Sequence, residues 1–259
     1  MTLVESFIDF AERTYSIDWA AIQQAVAARL GLTSSFDRSV YDPERYPVYW
    51  CVPLLVGSYL GASKRTVLAD TEAFVSGCIM RHCMFEPDRP FDASKGGEDF
   101  CTIMYAYDGC RIGRAPASSL DARFTAKCLP WKVLLTIGTR AISGEAGERA
   151  GYATTMEAIV LVYSCLQVVD DWHDKEEDIA RSHWNMWVHE PVRDCVAVIE
   201  PLLRGSRASV DRLRPHLLRR ALEAQLQDAA EELRPVVNSA VRARDEELRV
   251  PSGVPRHVV

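Results

Sequence analysis

Apolar residues in this chain recur every three or four positions almost from end to end, and no segment alternates apolar and polar over the length of a strand. A repeat near 3.6 confines the chain to helices packed on helices, because a half-buried strand needs a repeat of two. Ile22, Val26, Ala27 and Leu30 follow the pattern, with Gly31 as a C-terminal stop. Tyr49 to Leu60 is a second apolar segment, and Ser63, Lys64 and Arg65 mark a break. Val67, Leu68, Thr71, Phe74, Val75, Cys78 and Ile79 then share one face of a third segment that ends before Pro87. Phe85 to Gly97, with two prolines, two glycines and several acids, reads as a long loop. Helical patterns resume over Phe100–Ile112, Phe124–Ile142, Tyr152–Ile179, Val192–Leu203 and Leu217–Leu248. The expectation is one all-α bundle of roughly eight helices. It spans residues 1–250 as a single domain, with 251–259 as a flexible tail.

Composition narrows the function classes. The 259 residues are 48% hydrophobic and 25% charged, as in an ordinary soluble globular protein. Acidic residues outnumber basic ones 36 to 30, which disfavours nucleic acid as a partner. The strongest apolar run, Ala158 to Val169, is interrupted by Tyr163, Ser164 and Gln167, so no membrane span is expected. Glu5, Asp9 and Glu12 near the start are unlike a secretory signal, and the predicted location is cytoplasmic. The eight cysteines are scattered without a CxxC pair and read as buried thiols rather than zinc ligands.

One segment carries the chemistry: Tyr163-Ser-Cys-Leu-Gln-Val-Val-Asp-Asp-Trp-His-Asp-Lys-Glu-Glu-Asp178-Ile-Ala-Arg181. On a continuous helix, positions 163, 167, 170, 174, 178 and 181 rise along one side. The apolar stripe of Met156, Ile159, Val160 and Tyr163 thus runs into Gln167, Asp170, Asp174 and Asp178, with Asp171 on the flank. Carboxylates at this spacing repel one another and call for a positive partner. Mg2+ suits such a set, because it takes hard oxygen ligands and is commonly shared between one or two carboxylates and a phosphate.

Gln167-Val-Val-Asp-Asp-Trp-His-Asp174, continuing to Asp178, resembles the second aspartate-rich motif of trans-prenyl diphosphate synthases. Read from Asp174 to Asp178, it is similar to the second motif of squalene and phytoene synthases. Both families belong to the class I isoprenoid synthase superfamily, which also contains the terpene cyclases. The resemblance implies an all-α bundle around a central cavity that holds a prenyl diphosphate through magnesium. It implies Asp170, Asp171 and Asp174 as catalytic, metal-binding residues, with Asp178 as a further ligand. Ala126-Lys127-Cys128 sits much where prenyl synthases carry a Lys-Thr pair that contacts diphosphate, and Arg181 is a second candidate contact. Phe74, Tyr163 and Gln167 are expected to line the cavity, with Tyr105 and Trp184 as further aromatic candidates.

The superfamily's first acidic motif, commonly D-D-x-x-D, has no counterpart string. Its place on the helix before Pro87 reads Arg81-His82-Cys-Met-Phe-Glu86-Pro-Asp88. Glu86 or Asp88 is therefore expected across the cavity from Asp170 as a metal ligand, with Asp70 and Glu72 as the other candidates. The chemistry implied is ionisation of a prenyl diphosphate to an allylic carbocation, with cyclisation favoured over prenyl transfer. The alternatives are a non-catalytic regulatory subunit of a prenyl synthase and, more remotely, a di-iron bundle, for which no Glu-x-x-His motif is present. A homodimer stays open as an assembly.

Overall fold

The computed structural model describes residues 10, 13–31, 47–85, 93–109, 111, 119–146 and 151–249. They form helices α1 (Trp19–Leu30), α2 (Pro47–Leu60), α3 (Lys64–Phe85), α4 (Ala93–Asp108), α5 (Leu120–Lys127) and α6 (Leu129–Ile137). The chain continues through α7 (Arg140–Ala146), α8 (Tyr152–His173), α9 (Lys175–Ala180), α10 (Met186–His189), α11 (Val192–Asp211) and α12 (Leu217–Arg249). Among the described residues there is no strand, only an isolated bridge between Arg111 and His183. The chain is all-α.

Local chemistry explains why the described helices outnumber the eight expected. The stretch 124–142, read as one helix, is cut twice. Pro130 lacks the N–H that would bond back into the preceding turn, so α5 ends at Lys127 and α6 starts with proline in its first turn. The second cut is at Gly138, where the Asp70 carboxylate accepts the N–H groups of Ala141 (2.9 Å) and Ile142 (2.7 Å) at the head of α7. Asp18 caps α1 through the Ala21 N–H at 2.9 Å, and Gly31 closes it in the left-handed conformation at φ 73°. Within the expected 85–97 loop, α4 already begins at Ala93, with a break at Gly97 (φ 58°).

Helix α8 runs through the middle, packing on α11 and α12 on one side and α6 on another. Helix α8 is long and apolar enough to cross a membrane by length and composition. The sequence reading placed the apolar run short of that length. Half of the apolar window is buried inside the bundle. A large core gathers α1–α4, α6–α8, α11 and α12, and a smaller one joins Phe124, Cys128, Val168, Trp184, Met186, Cys195, Ile199 and Leu233 beside the acidic segment. Of the described cysteines, Cys78, Cys128, Cys165 and Cys195 are buried free thiols and Cys101 is exposed.

The α3–α6/α7 junction depends on the absence of a side chain at Gly138. A Cβ there would lie 2.4 Å from Phe74 Cδ2 and 2.7 Å from Phe74 Cβ. Phe74 is 1% exposed and has little room to withdraw. Gly138→Ala is therefore expected to destabilise by about 1–3 kcal/mol through overpacking. Gly144→Ala, in helix α7 with nothing within 4 Å of the added carbon, should instead stabilise by about 0.5–1 kcal/mol. Urea melts of the two variants side by side check both signs.

Candidate functional site

The acidic segment does not form one helix. Helix α8 ends at His173, Asp174 turns the backbone at φ −94° and ψ 18°, and α9 restarts at Lys175. The Asp174 N–H still donates to the Asp170 carbonyl, and the Asp178 N–H to the Asp174 carbonyl, each at 2.8 Å. The chain is thus bent between these two bonds, and at the break the Asp171 carbonyl accepts Asn185 Nδ2 instead. The bend moves Asp178 inward and Arg181 outward, where Arg181 pairs with Glu177 at 2.5 Å on the surface. The expected line from Tyr163 to Arg181 is broken at Asp174.

Burial also differs from the expected stripe. Steps of four along α8 lead from Ile159 through Tyr163 and Gln167 to Asp171, all buried. Asp171 is 1% exposed and Asp178 8%, whereas Asp170 is open to solvent and Asp174 intermediate. The carboxylates expected to face the interior were Asp170 and Asp174; the buried pair is Asp171 and Asp178.

Lys127, at the end of α5, neutralises that buried pair. Its Nζ donates to Asp178 Oδ2 at 2.8 Å and lies 3.4 Å from Asp171 Oδ1. Asn185 is fully buried and donates through Nδ2 to Asp178 Oδ2 (2.9 Å) and to the Asp171 carbonyl (2.6 Å). Its Oδ1 accepts the Trp187 N–H at 3.0 Å and so caps α10. His183 Nδ1 lies 3.6 Å from Asp178 Oδ1. Gln167 Nε2 donates to Asp171 Oδ1 (2.7 Å) and Asp170 Oδ2 (3.2 Å), while Gln167 Oε1 accepts the Trp131 indole N–H at 2.7 Å. Asp171 Oδ2 is buried without a hydrogen-bond partner.

Electrostatics separates the four aspartates. Burial pushes Asp171 up to about 7, against the pull of Lys127 and Gln167. For Asp178 burial works in the same direction, but hydrogen bonds from His183, Lys127 and Asn185, together with the Lys127 charge, outweigh it and hold the carboxyl down to about 2. Asp170 is raised by desolvation, with Arg81 and Lys127 opposing. Asp174 is raised by desolvation and by the charges of Asp170, Glu177 and Asp178.

Arg81, near the end of α3, is the charge that opposes the Asp170 shift most strongly. Its guanidinium carbon lies 4.4 Å from the centroid of the Trp131 ring and 5.6 Å from that of Tyr107. Tyr163 packs 6.2 Å from Trp131, centroid to centroid. The structure therefore gathers Lys127, Tyr163, Gln167, Asp170, Asp171, Asp174 and Asp178. Phe74 lies two turns before Arg81 on α3, packed at Gly138. Tyr105 is 79% exposed, and Trp184 is buried beneath Arg123. Glu86 and Asp88 lie outside the described residues, so their pairing across from Asp170 does too. The other two candidates for the first motif have separate tasks: Asp70 caps α7, and Glu72 pairs with Arg29 at 2.9 Å on the surface. Arg81, Trp131, His183 and Asn185 escaped the sequence reading. Only Asn185, polar and placed just before the apolar Met-Trp-Val, carried a local signal, that of an N-cap.

Among the described residues no three His, Cys, Asp or Glu side chains converge as a closed metal cage. Magnesium needs less, since one or two carboxylates with water and phosphate suffice. Asp174 makes no side-chain hydrogen bond or ion pair among the described residues, and Asp170 commits one oxygen to Gln167. Asp170 and Asp174 thus keep carboxylate oxygens uncommitted among the described residues, whereas Asp171 and Asp178 are engaged by Lys127. Compared with protein-family models, curated proteins and solved structures, the chain matches none.

Proposed function

We propose that the chain is a class I isoprenoid synthase-like enzyme that ionises a prenyl diphosphate with magnesium, terpene-like cyclisation being favoured over prenyl transfer. The observation that carries the reading is the cluster in which Asp170, adjoining Asp174, feels the charge of the Arg81 guanidinium from α3, which lies beside the rings of Trp131 and Tyr107, with Tyr163 against Trp131. A bound magnesium ion would neutralise charge developing on the departing diphosphate oxygens. Asp170 and Asp174 would hold it, while Gln167 fixes the Asp170 carboxylate through its amide. Trp131, Tyr107 and Tyr163 would present π-faces to a carbocation and keep water from it.

The internal neutralisation of Asp171 and Asp178 by Lys127 favours one other reading, a non-catalytic regulatory subunit that keeps the fold. Incubation with magnesium and prenyl diphosphates of increasing length, followed by analysis of extracts, separates the two. The enzyme reading expects hydrocarbons or alcohols that disappear with EDTA. No product with any chain length defeats it and leaves the regulatory subunit.

A further inference from the structure

We infer that His216 is a proton-released latch: its neutral ring caps helix α12 and pins the α11–α12 turn to α2, and protonation lets the turn go. The inference is independent of the diphosphate reading. His216 directly precedes Leu217, the first residue of α12, and its Nδ1 lies 3.1 Å from the Leu218 backbone nitrogen. A backbone N–H can only donate, so Nδ1 is the acceptor and the neutral ring carries its proton on Nε2. That nitrogen donates to Ser58 Oγ of α2 at 3.3 Å, and the Ser58 hydroxyl is hydrogen-bonded to the Tyr15 phenol. The Tyr59 ring meets the imidazole edge-on, with centroids 5.4 Å apart. Arg214 fastens the same turn, its backbone N–H donating to Tyr59 Oη at 3.0 Å and its guanidinium to the Tyr59 carbonyl. A serine beside a histidine could be a nucleophile and its base, but a base needs a bare Nε2, and here Nε2 holds the proton. The ring is a cap, not a catalyst.

A second proton on the ring must go to Nδ1, where it faces the Leu218 N–H. The acceptor of the cap then becomes a donor, and a positive charge sits at the positive end of a 33-residue helix. No surrounding group favours that charge. Arg214, in the same turn, opposes it, while Tyr59 of α2 and Tyr15 ahead of α1 contribute phenols. Arg219 and Arg220 follow on α12, the first held by Asp211 and Glu223 and the second exposed. Among the described residues no carboxylate bonds or pairs with His216. Burial, and then the Arg214 charge, push the ring below the ordinary histidine value of 6.5. Because the folded-state value is the lowered one, the stabilisation is whole above pH 6.5 and is lost as pH falls through the folded value.

The test uses the full chain. The His216 ring nitrogens are followed by NMR through a pH titration, and hydrogen exchange of the turn is followed by mass spectrometry at about pH 7.5 and 5, corrected for the intrinsic rate. The ring is expected in the Nε2–H form, with its midpoint below 6.5. Protection of the turn in wild type should fall about threefold or more between the two conditions. His216→Asn keeps a side-chain oxygen to cap α12 but has no proton to gain, so its protection should hold nearly constant. A proton found on Nδ1, a midpoint at or above 6.5, or an equal loss of protection in wild type and the Asn variant overturns the latch. The ring titration of wild type decides the matter if the Asn variant does not fold.

Discussion

Replacing Lys127 by methionine is expected to lower the free energy of unfolding by about 3–5 kcal/mol, the usual cost of removing one partner from a buried ion cluster. Asp178 would lose its 2.8 Å donor and Asp171 the cation 3.4 Å away, both inside the protein. The pH dependence follows from the two carboxyls. Asp171, raised to about 7, holds its proton in the folded state well above the ordinary carboxylate range. Its contribution to stability is therefore present at low pH and lost as pH rises through 7. Asp178, lowered to about 2, contributes stability above the ordinary carboxylate range that is lost as pH falls from about 4 towards 2. Both carboxylates are charged above pH 7, so the deficit of Lys127→Met should be largest there and shrink steadily in acid. Adding Asp178→Asn should recover part of the loss, giving a coupling outside simple additivity. Urea melts between about pH 4 and 8 measure this; a deficit under 1 kcal/mol at pH 8, or one that grows in acid, overturns the account.

That a lysine would sit inside the acidic motif was not legible in the sequence. The helical period and the loss of helix at Gly31 are local properties, and short-range chemistry determines them. The apolar stripe of α8 was legible for the same reason. Its continuation was not, because steps of three and of four from Gln167 lead to Asp170 and Asp171 respectively, and periodicity alone weighs both equally. The tertiary partner decides: Lys127, fifty-one positions before Asp178, selects Asp171 as the inward carboxylate. Arg81 lay hidden in a similar way. Nothing in its local sequence sets it apart, and only the fold brings Trp131 and Tyr107 around it.

Asp170→Asn and Asp174→Asn should each abolish magnesium-dependent turnover and the rise in melting temperature with magnesium and pyrophosphate, while leaving the fold intact. Asparagine keeps the size and an oxygen ligand but removes the charge that holds a hard cation. At Asp170 the remaining amide oxygen can still accept the Gln167 N–H now 3.2 Å away, so packing around α8 is retained. Each folded carboxyl is raised by desolvation, and Asp174 further by Asp170, Glu177 and Asp178, so ionisation here works against folding. Removing either charge should accordingly leave stability in metal-free buffer equal or slightly higher. A merely solvated acidic surface predicts something different: both substitutions within about 0.5 kcal/mol of wild type and no response to magnesium and pyrophosphate in any form of the protein. Unaltered magnesium dependence in both asparagine variants would show that the cation is held elsewhere.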